Sequence, residues 1–130
     1  QCILFSQSET KFLYKIPYSL ITREDIDFAD PDLDKWPALQ YTKGHIAHLE
    51  HGNVLYIPEG YWHHMKYITP GFSMSLRAIA RKPKNFGKAV YNILVMRHFD
   101  NLMRKVKGQE WIDWKNEKAV ERTQKLLLQE

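Results

Sequence analysis

The stretch VLYIPEGYWHHMKY, residues 54–67, decides how this chain is read. An apolar, strand-like run ends at Pro58 and Gly60, and aromatics then lead directly into His63 and His64. Adjacent histidines in that setting are candidates for a metal ligand or a buried acid–base group. The bland reading stands beside it: a lone His next to Trp and Tyr is more often a hydrogen-bonded core or rim residue. A metal centre needs two or three protein ligands, so the other histidines matter. His45, His48 and His51 form an HxxHxxH run, but on a strand or turn that spacing does not converge imidazoles. Gly44 and Gly52 bracket too short a segment for a helix to do it. His98 lies in a helical stretch whose nearest acid, Asp100, is expected to point elsewhere.

Working outward, the 130 residues suit one domain with a single modest core. Composition is that of a globular protein, 44% hydrophobic and 26% charged. No apolar run approaches the roughly 18–20 residues of a membrane span, and the N-terminus lacks a basic stretch followed by an apolar core. The single cysteine, Cys2, cannot form an internal disulfide, which fits a reducing, cytoplasmic setting. The chain opens QCILF, with no initiating Met, directly in an apolar run, and so reads as a piece of a longer chain.

Charge is uneven. Residues 1–70 hold six Lys/Arg against nine Asp/Glu, and residues 71–130 hold thirteen against six. The signs alternate along helical segments, as on a solvated face. With no nucleic-acid reading motif alongside, nucleic acid is not the expected partner. The acidic run Asp25, Asp27, Asp30, Asp32 and Asp34 lacks the glycine and terminal Glu of a calcium-binding loop, so it reads as a solvated loop.

Two regions emerge, residues 1–81 and 82–130. In the first, CILFS (2–6), KFLYKIP (11–17), HIAHLE (45–50) and VLYIP (54–58) are short β-type runs. FSMSLRAIA (72–80) alternates with period two, placing Phe72, Met74, Leu76 and Ala78 opposite Ser73, Ser75 and Arg77. Many short strands split by turn signals predict a sandwich or barrel. The second region switches to helical period: Ala89, Ile93, Met96, Phe99, Met103 and Val106 step by threes and fours, and Gly108 is a stop. A second helix follows, with Trp111, Trp114, Val120, Leu127 and Leu128. Their apolar stripes bury on the chain's own sheet or on a second copy, and the breadth of the first stripe favours a second copy. There are no internal repeats.

Taken together, GNVLYIPEGYWHH followed by TPGFSMSLR resembles the second half of a JmjC-type, cupin-like Fe(II)/2-oxoglutarate oxygenase, in particular the factor-inhibiting asparaginyl hydroxylase subgroup and its bacterial cupin-like members. The family pattern, a G-D-x-L-Y-I-P strand and then W-H, is met by Gly52, Leu55, Tyr56, Ile57, Pro58, Trp62 and His63. CILFS resembles the strand after the first half of the iron site. DFADPDLDKWP resembles the family's D-F-x-x-P-D loop, and the two helices resemble its dimerising pair. The resemblance runs along most of the chain.

It implies a mainly β chain with C-terminal helices: the C-terminal part of a double-stranded β-helix (jelly roll) over 1–81, and a two-helix dimerisation segment over 82–130. His63 would be one ligand of a two-histidine, one-carboxylate Fe(II) triad. His64, its strand neighbour, would face away. The other two ligands belong to an H-x-D/E motif upstream of Cys2 in the family, and residues 1–62 offer no substitute. Arg77 stands where the hydroxylase has Asn near the cosubstrate. It would either grip a carboxylate in bidentate fashion or pair with the acidic loop, and Ser73 and Ser75 share its face. Tyr61 and Trp62 are packing or pocket-wall residues. The expected function is part of a 2-oxoglutarate-dependent dioxygenase, inactive alone, that homodimerises and acts on a protein side chain or a small molecule. The alternative is a non-catalytic dimerisation or scaffold module. A cupin isomerase or storage-type binder fits the fold but not the YWHH and helix signature.

Overall fold

The computed structural model describes residues 1–78 and 83–128. Its centre is β1 (Cys2–Phe5), whose four residues are all buried. A strand apolar at every position must be covered on both faces, and β1 is the middle strand of a three-stranded antiparallel sheet. β2 (Gly44–Ala47) flanks it on one side and β3 (Trp62–Met65) on the other. Leu4 lies opposite His45 on β2 and opposite His63 on β3, while Ile3 lies opposite Ile46 and His64. That register divides the sheet into two faces. One carries Ile3, Phe5, Ile46, Trp62 and His64, and the other carries Cys2, Leu4, His45, His63 and Met65.

The first face holds the core. The long β1–β2 connection folds over it through 3₁₀ turns at Gln7–Lys11 and Pro37–Tyr41. Phe12, Leu13, Tyr14, Ile26, Trp36, Ala38 and Leu39 cluster there with Ile3 and Phe5. The acidic run builds its own turns. Asp27 accepts from the Ala29 amide at 2.9 Å, and Asp32 accepts from the Asp34 and Lys35 amides at 3.1 and 3.0 Å. Short Asp side chains favour such local bonds. Lys66, just past β3, then ties Asp27 to the sheet at 2.7 Å.

The helical region follows its period. α1 (Pro83–Tyr91) leads through a π-helical turn, Asn92–Met96, into α2 (Arg97–Lys107). Gly108, at φ +56°, ends α2, its amide bonded to the Arg104 carbonyl at 2.9 Å. α3 (Gln109–Leu127) turns back and packs Val120 and Leu127 on the core cluster. The π turn and α2 instead leave Ile93, Leu94, Leu102 and Val106 more than half exposed.

Three expected strands differ. KFLYKIP contributes only an isolated bridge, Lys15 to Thr22. Phe12, Leu13 and Tyr14 are buried in the core cluster without strand pairing, and Tyr14 breaks the extended run at φ +49°. VLYIP (54–58) and the described part of FSMSLRAIA (72–78) form no strand. Val54, Phe72 and Leu76 are over 90% exposed. A strand persists only where a neighbour takes its hydrogen bonds, and no described residue pairs with either run; Ile79 and Ala80 lie outside the described residues. What stands is a small antiparallel sheet with C-terminal helices. The partial jelly roll expected over 1–81 is represented among the described residues by these three strands alone.

Candidate functional site

The site is built on β3. Alternation along WHHM turns Trp62 and His64 to the core face and His63 to the other. The Trp62 indole donates to Thr10 Oγ1 at 2.7 Å, which fixes its ring. The His64 ring lies 5.5 Å from Phe28, half-buried against the acidic loop. His63 is exposed. The two histidines thus differ in packing, His64 half-buried on Phe28 and His63 exposed, although both line one groove.

Beside His63 runs a groove of about 560 Å³, walled on one side by residues 60–64 and on the other by residues 20–24. The Arg23 guanidinium in the second wall is committed to Asp25, with bonds of 2.8 and 3.0 Å. That pairing holds the Asp25 carboxyl below its ordinary range, against a smaller upward push from burial. Glu24 is exposed along the same wall. Sequence reasoning missed this wall. The only available signal was the Arg23–Asp25 pair, two residues apart.

The other candidate positions stand apart from it. Ser73, Ser75 and Arg77 are exposed on the unpaired 71–78 stretch and do not line the groove. Ser73 Oγ lies 2.7 Å from the Tyr67 hydroxyl. His45 shares the His63 face, but β1 lies between them, so two strand spacings of about 4.8 Å separate their backbones. A metal centre would need further donors beside the pair, and none among the described residues joins it. His48 Nδ1 is 3.5 Å from the Gln1 amide nitrogen, and His51 and His98 are exposed elsewhere. Among the described residues no group of three His, Cys, Asp or Glu side chains converges on a point. These described residues alone therefore do not fit a ferrous triad.

Two further groups bear on chemistry. Burial pushes the Cys2 thiol up, partly opposed by the N-terminal amine, so it is not an activated nucleophile. Asp100, expected to point away from His98, is the hub of the helical pair. It accepts from Lys115 Nζ at 2.5 Å, Trp111 Nε1 at 2.8 Å and Arg104 Nε at 2.9 Å. Burial raises its pKa, but those three donors outweigh it and hold the carboxyl below its ordinary range.

Known proteins similar to this chain match over limited stretches. HSPB1-associated protein 1 of Rattus norvegicus is 35% identical over 72 residues, covering 52% of this chain and 15% of that protein. The Homo sapiens protein of the same name gives 35% over 72 residues and 14% of its length. Lysine-specific demethylase 8 of Xenopus tropicalis is 30% identical over 73 residues, 55% of this chain and 16% of that protein. The matched stretch is thus a minor part of each of these relatives. No solved structure matches the chain. The family model for the cupin-like domain matches residues 1–105, which span β1 to α2 and include His63, and the chain belongs to that family.

Proposed function

We propose that this chain is the C-terminal part of an Fe(II)- and 2-oxoglutarate-dependent oxygenase, with His63 as one metal ligand. The observation that supports the reading is the divergence of the histidine pair. Both line the groove, but His64 is also packed on Phe28, while His63, in the W-H position of the resembling oxygenases, is exposed on the opposite face of the strand. On this reading the remaining ligands come from residues outside this sequence, and no reaction step can be assigned to the chain alone. Ser73, Ser75 and Arg77 are the 2-oxoglutarate-side candidates, and they act once the 72–78 stretch pairs into a sheet. The substrate is a protein side chain or a small molecule. The deciding experiment is His63→Ala in the intact protein, assayed for iron-dependent 2-oxoglutarate turnover. Turnover is expected to vanish while the circular dichroism spectrum holds, because His63 is exposed and carries little packing. Retained turnover would sink the assignment.

A second reading, a non-catalytic dimerisation module, is favoured by the apolar stripe that α1 and α2 leave exposed. Both readings share a homodimer through these helices. No helix among the described residues is long and apolar enough to cross a bilayer.

A further inference from the structure

The groove beside His63 has a wall that the sheet does not supply. Residues 20–24 lie in an irregular segment without strand or helix pairing beyond one bridge at Thr22. Such a segment keeps its place only through whatever anchors it. Leu20 and Ile21 are 62% and 44% exposed, so burial of their own side chains does little of that work.

Besides the bridge and the Ile16 amide bond to the Ile21 carbonyl at 3.1 Å, two side-chain anchors do it, and both reach the helical pair. The first is Tyr18, two residues before the wall. Its backbone is left-handed at φ +56°, a conformation rare for a bulky residue and kept only where the surroundings enforce it. The surroundings are three aromatic rings. The Tyr18 ring centroid lies 5.2 Å from Phe99 on α2, and 5.6 and 6.5 Å from Trp111 and Trp114 on α3. Trp111 and Trp114 stack on each other at 4.9 Å, which makes the receiving surface stiff. The second anchor is Arg23, inside the wall. Beyond its fork on Asp25, it donates to the Asn116 carbonyl on α3 at 3.2 Å, and its guanidinium lies 5.0 Å from the Trp36 ring. One side chain thereby joins the loop, the core and α3.

We infer that Tyr18 and Arg23 are positioning residues through which the α2–α3 pair sets the width of the groove beside His63. The inference rests on His63 being the working histidine of that groove. Neither residue needs to touch a substrate. They hold the segment that a substrate would lie against, and they hold it from the helices rather than from the sheet that carries His63.

The test is mass-spectrometric mapping of diethylpyrocarbonate modification in the intact protein with EDTA present, reading His63 against His51. His51 is exposed in the turn after β2 and does not line the groove, so it reports reagent strength and general unfolding. Tyr18→Ala and Arg23→Ala free the wall and are expected to raise the His63 to His51 ratio by roughly threefold or more. Tyr18→Phe keeps the ring and is expected to leave the ratio at the wild-type value. Trp114→Leu removes one ring contact from the helix side, at a residue already 39% exposed, and moves the ratio the same way should Tyr18→Ala not fold. A ratio that stays or falls in folded Arg23→Ala and Trp114→Leu overturns the inference, as does Tyr18→Phe behaving like an anchor loss. Protection of His63 by manganese(II) added in place of EDTA reports on the metal assignment alone. Its absence alongside a raised ratio would remove the metal and leave the positioning role standing.

Discussion

Asp100 shows how much one side chain organises. Its two oxygens take donors from three residues, and Lys115, 2% exposed, has its ammonium against it. Removing one partner of a buried pair strands the other charge. Lys115→Met is therefore expected to lower stability by roughly 3 kcal/mol, read as a lowered urea midpoint at pH 7. The pH dependence has a definite sign. The folded carboxyl titrates below its unfolded value, so its stabilisation is fully present above the unfolded pKa and is lost as pH falls through the folded one. Denaturant midpoints should fall on acidification below about pH 4, and Asp100→Asn should flatten that fall.

At this scale the sequence was informative about His63 and His64, because strand alternation alone sends neighbours to opposite faces. It was silent about Asp100 and Tyr18. Asp100 meets Trp111 and Lys115 only after the chain reverses at Gly108. The left-handed turn at Tyr18 has no residue signature, since nothing in a Tyr announces a positive φ.

Elements whose cause is local were legible. The switch to a 3.6 period marked the helices, and Gly108 was readable as their break because it sits after the basic last turn of α2. Its φ of +56° and ψ of −127° suit glycine alone, and open space surrounds the position where a Cβ would stand. Gly108→Ala should thus carry a purely conformational cost of about 1–2 kcal/mol. By calorimetry, the melting temperature is expected to drop by about 5 °C. A change under one degree would show that the backbone relaxes elsewhere. Elements whose cause is remote were not legible. VLYIP and FSMSLRA have strand composition, yet pairing depends on a neighbouring strand, and pattern alone cannot supply one. The same limit applies to the groove, whose two walls are about forty residues apart in sequence.

Across the whole molecule, the two helical faces have different fates. α3 is absorbed into the core through Val120 and Leu127, whereas α1 and α2 keep an apolar stripe in solvent. Removing such a stripe from water is worth about 25 cal/mol per Å², and a second copy offers the same surface in return. Ile93→Glu with Met96→Glu should shift sedimentation from dimer to monomer. A species unchanged in size would place the stripe's cover within the chain's own assembly.

The π-helical turn at Asn92–Met96 has a consequence for that stripe. A π turn carries one residue more per hydrogen-bonded loop than an α turn, and each helical residue advances about 100° around the axis. The turn therefore acts as a phase offset between the apolar lines of α1 and α2. Ile93, Leu94 and Val95, all within the turn, are each about half exposed. Tyr18 reads the far side of the same offset, because Phe99 sits just beyond it. A single inserted residue thus fixes the rotation at which one helical ribbon presents its apolar side chains to solvent and its ring to the loop.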